Sequence, residues 1–161
     1  QRVPTLPEVL AWAKGRIPLV IEIKGDPLPA VGIEEKLVGL LRAHDMVDDV
    51  MAISFHHPVV KRLKELEPGL ATGSLYSGRL VDAVGAARAA QADSVRPSHH
   101  YWTAEDVAAV HAAGLTASTW VVNDEETMEY LAGIGIDSVG SDYPDRLRRY
   151  LDRTGRGWPR R

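Results

Sequence analysis

Residues 19–25 read "LVIEIKG", an aliphatic run that ends in a carboxylate, an aliphatic residue, an ammonium and a glycine. In a strand, alternation puts Val20, Glu22 and Lys24 on one face and Ile21 and Ile23 on the other. An acid and a base aimed the same way at the end of a buried strand form either an internal ion pair or part of a binding site. The rest of the chain bears on the choice.

Working outward, short strands alternate with amphipathic helices. "TLPEVLAWAKG" (5–15) carries helix signals: Thr5 as N-cap, Pro7 and Glu8 in the first turn, Gly15 as the stop. The strand over 18–24 is followed by a Gly/Pro loop (25–32) and a helix over 33–45. A strand at 50–55, a helix over 58–67 begun by Pro58, a strand at 69–76 and an Ala-rich helix over 79–91 come next. A short strand at 92–97 leads to "TAEDVAAVHAAG" (103–114), with Thr103 as cap and Gly114 as stop. A strand at 115–123, a helix over 124–135, a strand at 136–142 and a helix over 143–153 complete the pattern.

Six strands alternating with helices predict an α/β fold with a parallel sheet. The polar residues discriminate further. Glu22 and Lys24, Ser54, Tyr76 and Ser77, Arg96, Trp120 and Asn123, and Ser141 with Asp142 fall at or just after the C-terminal ends of different strands. That distribution suits a (β/α)8 TIM-barrel type, whereas an open doubly wound sheet gathers its site at one switch point. Such a barrel takes about 250 residues. Six βα units in 161 residues therefore predict an incomplete barrel, one domain over 1–161 with two exposed sheet edges.

Hydrophobic residues make up 45% of the chain and charged residues 25%, as in ordinary globular proteins. A net charge of -3 gives no reason to expect nucleic acid or an anionic membrane as partner. The basic tail "RTGRGWPRR" (153–161) reads as a frayed end. There is no cysteine, which excludes disulfides, thiolate catalysis and Cys-based metal sites. No apolar run is long enough to span a bilayer, and the opening lacks the pattern of a secretory leader. The cytoplasm is the expected compartment, with export left open. Because position 1 is Gln rather than Met, the natural N-terminus is expected upstream.

The ordered segments "PTLPEVL", "LVIEIKG", "AISF", "VRP", "GLTASTWVVND" and "GIDSVGSDYPD", spread over 3–145, resemble the C-terminal part of a glycerophosphodiester phosphodiesterase. The resemblance implies a (β/α)8 barrel that hydrolyses glycerophosphodiesters to glycerol 3-phosphate and an alcohol with Mg2+ or Ca2+. It implies that Glu22 binds the metal, that Lys24 faces the phosphate, and that Trp120 lines the substrate cleft, with Asn123 closing the same motif. The family's W-T-V-N is W-V-V-N here, and its T-D-x-P is "SDYP". The family's H-R-G, E-x-D and H-D segments, which hold both catalytic histidines and two of three metal carboxylates, have no counterpart in this sequence. No general acid or base is therefore assigned. A hard cation needs several oxygen ligands, so Glu22 alone does not hold one tightly. The chain by itself is expected to be inactive or nearly so. The expected partners are a small-molecule phosphodiester and, on the open edges, an upstream half or a second copy. A non-catalytic, self-associating module is the alternative.

The histidine pairs His56–His57 and His99–His100 follow strand ends. His56, His99 or His100 are candidate substrate contacts, and His57 reads as a solvent-facing loop residue. A zinc site from both pairs is disfavoured, since neighbours in sequence rarely face one metal. His44 and His111 read as surface or packing residues, and Trp12, Trp102 and Trp158 as structural. Asp142 is expected to cap the last helix.

Overall fold

The computed structural model describes residues 2–25 and 27–156. Trp158 and the end of the basic tail lie outside the described residues. The chain forms two compact units, one of residues 1–75 with 85–94 and the other of 76–84 with 95–161.

In the first unit, α1 (Leu6–Ala13), β1 (Leu19–Glu22), α2 (Ile33–His44), β2 (Val50–Ser54), α3 (His57–Leu66) and β3 (Ala71–Tyr76, up to Leu75) follow in order. α4 (Ala83–Ala89) completes its run from Gly85. β1 pairs parallel with β2, and β2 parallel with β3, with Glu22 level with Ile53 and Ile53 level with Gly73. One core unites Leu10 of α1, Leu37, Val38 and Leu41 of α2, Val59 and Leu63 of α3, and Ile23, Val50 and Ala52 from the strands. These helices cover the face that carries Ile21 and Ile23. Val20 on the opposite face is 58% exposed, and Phe55, just past β2, is 44% exposed. The alternation expected of "LVIEIKG" is therefore the one the strand adopts.

α1 begins at an extended Thr5. The Glu8 carboxylate reaches back to accept from the Thr5 backbone N–H (2.8 Å) and hydroxyl (2.9 Å), and it also pairs with Arg2. Asp93 does comparable work at the entry to β4 (Ser94–Pro97). Its N–H donates to the Thr72 carbonyl at 3.0 Å, and its Oδ2 accepts from Thr72 N at 2.7 Å and Lys64 Nζ at 2.9 Å.

The second unit holds the continuation of β4, a 3-10 turn (His99–Tyr101), α5 (Ala104–Ala112), β5 (Thr116–Thr119), α6 (Glu125–Gly133), β6 (Ser138–Val139) and α7 (Pro144–Thr154). β5 and β6 pair parallel, Ser118 with Ser138 and Thr119 with Val139. Thr103 caps α5 by accepting from Asp106 N at 3.2 Å, as its position predicts. Asp137 repeats the device of Asp93: its N–H donates to the Ala117 carbonyl (2.8 Å) and its Oδ2 accepts from Ala117 N (2.7 Å). Both aspartates open the same local sequence, "DSV", at 93–95 and 137–139. His111, expected at the surface or in packing, donates to that same Asp137 oxygen at 2.8 Å.

The strand expected over 136–142 shortens to Ser138–Val139 and the helix expected over 79–91 to Ala83–Ala89, and two further expectations change here. The strand over 115–123 ends at Thr119, because residues 121–124 are spent in turning toward α6, whose N-cap is Asp124. Asp142 does not cap α7: Tyr143 holds that place without a side-chain bond, and the Asp142 carboxylate is taken by Asn123.

Leu63 is fully buried, so Leu63→Ala is expected to lower unfolding stability by about 2–5 kcal/mol, measured by urea denaturation. The Arg2 guanidinium, with help from Thr5, lowers the Glu8 carboxyl to about 2. A depressed carboxyl stabilises the fold above its unfolded value, near 4.3, and the gain disappears as pH falls toward about 2. The melting-temperature difference between Glu8→Gln and the parent chain is thus expected at neutral pH, shrinking below about pH 4 and lost as pH falls through about 2, and weakened by salt.

Candidate functional site

The first unit supplies an acid and a base. Glu22 is the last residue of β1, and Lys24 lies two residues on, on the same face. Lys24 Nζ stands 2.7 Å from Glu22 Oε2, with side-chain exposures of 74% for Lys24 and 25% for Glu22. The other carboxylate oxygen, Oε1, is buried and has no hydrogen-bond partner. A plain internal ion pair would satisfy the carboxylate, yet this one leaves a buried oxygen bare, which is costly unless something else meets it.

The turn after Lys24 depends on Gly25. A Cβ there would lie 2.1 Å from Pro29 N and 2.2 Å from the Leu28 carbonyl carbon, so only glycine lets the backbone return this tightly. His56 Nε2, 3.3 Å from the Gly25 carbonyl, donates to it, and Ser54 Oγ donates to the Ile23 carbonyl at 2.8 Å. His56 is therefore placed beside the Lys24 turn. His57 differs from expectation: it is half-buried as the first residue of α3, and its Nε2 donates to the Leu75 carbonyl at 2.9 Å. Starting α3 at His57 turns its ring toward β3 rather than into solvent.

The second unit, taken by itself, carries Trp120 just past β5. Ser98 bridges to Trp120 in parallel, and the Trp120 indole Nε1 donates to the Arg96 carbonyl at 3.0 Å, which fixes the ring against β4. Arg96 is buried, and burial pushes its guanidinium below the usual value. Asn123 joins two loops: its Nδ2 donates to Asp142 Oδ2 at 2.9 Å, and its Oδ1 accepts from Asp142 N at 3.0 Å and Ser141 Oγ at 3.2 Å. Trp102 is structural, as expected, with its Nε1 donating to the Ser118 carbonyl at 3.2 Å. Tyr76, at the end of β3, is pushed up to about 12 by burial and by the charge of Asp106.

His99 follows β4, and its N–H donates to the Trp120 carbonyl at 3.1 Å. Its ring lies on that of His100, centroid to centroid 3.8 Å. Sequence spacing marks the histidines but not the role of the Arg96 carbonyl, because backbone acceptors leave no trace in side-chain identity. Among the described residues no three His, Cys, Asp or Glu side chains gather as a metal site, and no helix is long and apolar enough to cross a membrane.

Each unit is built of parallel βα pairs with polar or aromatic side chains at strand C-terminal ends, Glu22 and Lys24 in the first and Trp120 in the second. The sequence profile of the glycerophosphoryl diester phosphodiesterase family matches residues 1–146, and the chain belongs to that family. A glycerophosphodiester phosphodiesterase of Caldanaerobacter subterraneus subsp. tengcongensis is 31% identical over 156 residues, covering 96% of this chain and 64% of that protein. The crystal structure of a glycerophosphodiester phosphodiesterase from Parabacteroides distasonis matches with a TM-score of 0.82 at 21% identity, covering 94% of this chain and 65% of the other, and supports the fold alone. An Oleispira antarctica phosphodiesterase, solved in complex with the product sn-glycerol-3-phosphate, matches at 25% identity with a TM-score of 0.79, over 92% of this chain and 61% of its own. The fold is that of an α/β chain of the (β/α)8 TIM-barrel type. The chain spans about three-fifths of the length of these relatives.

Trp120→Phe keeps an aromatic ring but deletes the donor to the Arg96 carbonyl. A loss of about 1 kcal/mol in unfolding stability is expected, read from the shift of the denaturation midpoint at constant slope.

Proposed function

We propose that the chain carries the phosphate-facing part of a glycerophosphodiester hydrolase, which cleaves its substrate to glycerol 3-phosphate and an alcohol. The observation that carries this reading is the Glu22–Lys24 pair, with one carboxylate oxygen engaged at 2.7 Å and the other buried and bare. Family membership and the glycerol 3-phosphate held by the Oleispira relative support the choice of substrate.

A bare carboxylate oxygen fits one coordination position of Mg2+ or Ca2+, both of which take oxygen ligands. Glu22 would hold the ion through Oε1, and the ion when bound would offset charge that develops on the phosphate oxygens. Lys24 is exposed enough to swing from Glu22 to a phosphate oxygen, where it acts as a compact positive charge. Trp120, oriented by the Arg96 carbonyl, would wall the glycerol or alcohol group. Asn123 acts at one remove by holding the loop after Trp120 to Ser141 and Asp142.

Hydrolysis also needs one proton taken from the nucleophile and one delivered to the leaving oxygen. Neither transfer is assigned to a residue of this chain, and no group of three metal-ligating side chains forms among the described residues. These 161 residues alone are expected to release no glycerol 3-phosphate from a glycerophosphodiester above background, with either Mg2+ or Ca2+. Release at an ordinary enzyme rate that Glu22→Ala abolishes would falsify this. Lys24→Ala is expected to weaken glycerol 3-phosphate binding by about 1.5–3 kcal/mol, the usual loss for a hydrogen bond to a charged group, measured by calorimetry.

A second reading, a non-catalytic module that self-associates, draws on the exposed apolar groups Val20 and Phe55. It expects a stable dimer in sedimentation at micromolar concentration.

A further inference from the structure

His99 is the one residue of the "SHHY" stretch (98–101) whose side chain has an unmet need. Its Nδ1 is buried and has no hydrogen-bond partner. Its backbone is committed, because the N–H donates to the Trp120 carbonyl at 3.1 Å and Ser98 is bridged to Trp120. The ring plane is constrained by contact with His100 at 3.8 Å and 43°. Asp124, one acid that feels the charge of His99, is already in use: its Oδ1 accepts from Thr127 N at 2.8 Å as the cap of α6. His99 is thus held at the C-terminal end of β4, beside the tryptophan that the proposed function makes a cleft wall.

We propose that His99 is a substrate-contacting residue whose Nδ1 hydrogen-bonds a hydroxyl of the bound glycerol moiety. A hydroxyl is the matching group because it both donates and accepts, and so pairs with Nδ1 in either neutral tautomer. Buried polar atoms in folded proteins are nearly always paired, and a ligand hydroxyl would complete this one. Position agrees, since side chains that follow barrel strands at their C-terminal ends are those that meet substrate. The contact would select for a polyol, because an alkyl group of the same size leaves Nδ1 unpaired. The inference rests on reading the cleft as a glycerol phosphate site.

The test uses the 161-residue chain and sn-glycerol 3-phosphate as the probe. Binding is followed through the Trp120 indole and the histidine ring nitrogens in 1H–15N spectra, with His100→Gln used for assignment. The His99 Nδ1 resonance is expected to shift with the same midpoint as Trp120. His99→Asn, whose amide falls near the Nδ1 position, is expected to bind within about threefold of the parent chain. His99→Leu is expected to bind about tenfold more weakly, the scale of one lost hydrogen bond, while its melting temperature stays level or rises because an unpaired polar atom has gone. A purely structural histidine would do the reverse. A Trp120 shift without a His99 shift, or a His99→Leu chain that binds normally and melts lower, overturns the proposal and leaves the cleft reading intact. Silence of Trp120 and His99 alike up to millimolar probe overturns the cleft reading and this inference with it.

Discussion

The structure depends on a one-sided burial. Ile23, Val50 and Ala52 must lie against α1, α2 and α3, because that core is what excludes water from the first unit. Strand periodicity is two, so burying one face dictates what the other presents. Once Ile21 and Ile23 turn toward the helices, Val20, Glu22 and Lys24 have no alternative but the opposite face. Slipping β1 by one residue would bury a carboxylate and an ammonium among leucines, and no partner there could compensate. The apolar core thereby aims the polar pair.

A second recurring element is the aspartate that opens a strand. Asp93 and Asp137 each donate a backbone N–H to a neighbouring strand residue and accept that residue's N–H through the side chain. The bidentate pairing fixes where each βα unit begins, far from the strand ends that carry the polar residues. The contacts that fix the strand starts thus lie at the end opposite the polar residues, and in barrel proteins binding chemistry sits at the C-terminal end. The arrangement accounts for two acids near the last strand having different roles: Asp137 fixes its start, whereas Asp142 is drawn into the Asn123 junction at its end.

The candidate site follows the same logic of prior commitments. Trp120 cannot rotate freely because its indole is bonded to the Arg96 carbonyl, Gly25 turns where no other residue fits, and Asn123 uses both ends of its amide to hold two loops. Among the described residues, the buried side-chain atoms left without a hydrogen-bond partner include one oxygen of Glu22, one nitrogen of His99 and the hydroxyl of Ser74 in β3. In a molecule whose other polar groups are largely engaged, such remainders are where external ligands have something to gain.

Much of this was readable from residues alone. The order of helices and strands, the caps at Thr5 and Thr103, the faces of "LVIEIKG" and the clustering of polar residues at strand ends all follow from local rules: periodicity, capping chemistry and the backbone freedom of glycine. Tertiary structure decided what those rules do not reach. Asp142 has the composition of a cap, yet Asn123, nineteen positions away, claims its carboxylate first. His57 sits in what looks like an exposed loop, yet β3 offers it the Leu75 carbonyl. A side chain's partners depend on which distant backbone and side-chain atoms arrive within about 3 Å, and sequence patterns encode direction and periodicity but not those arrivals.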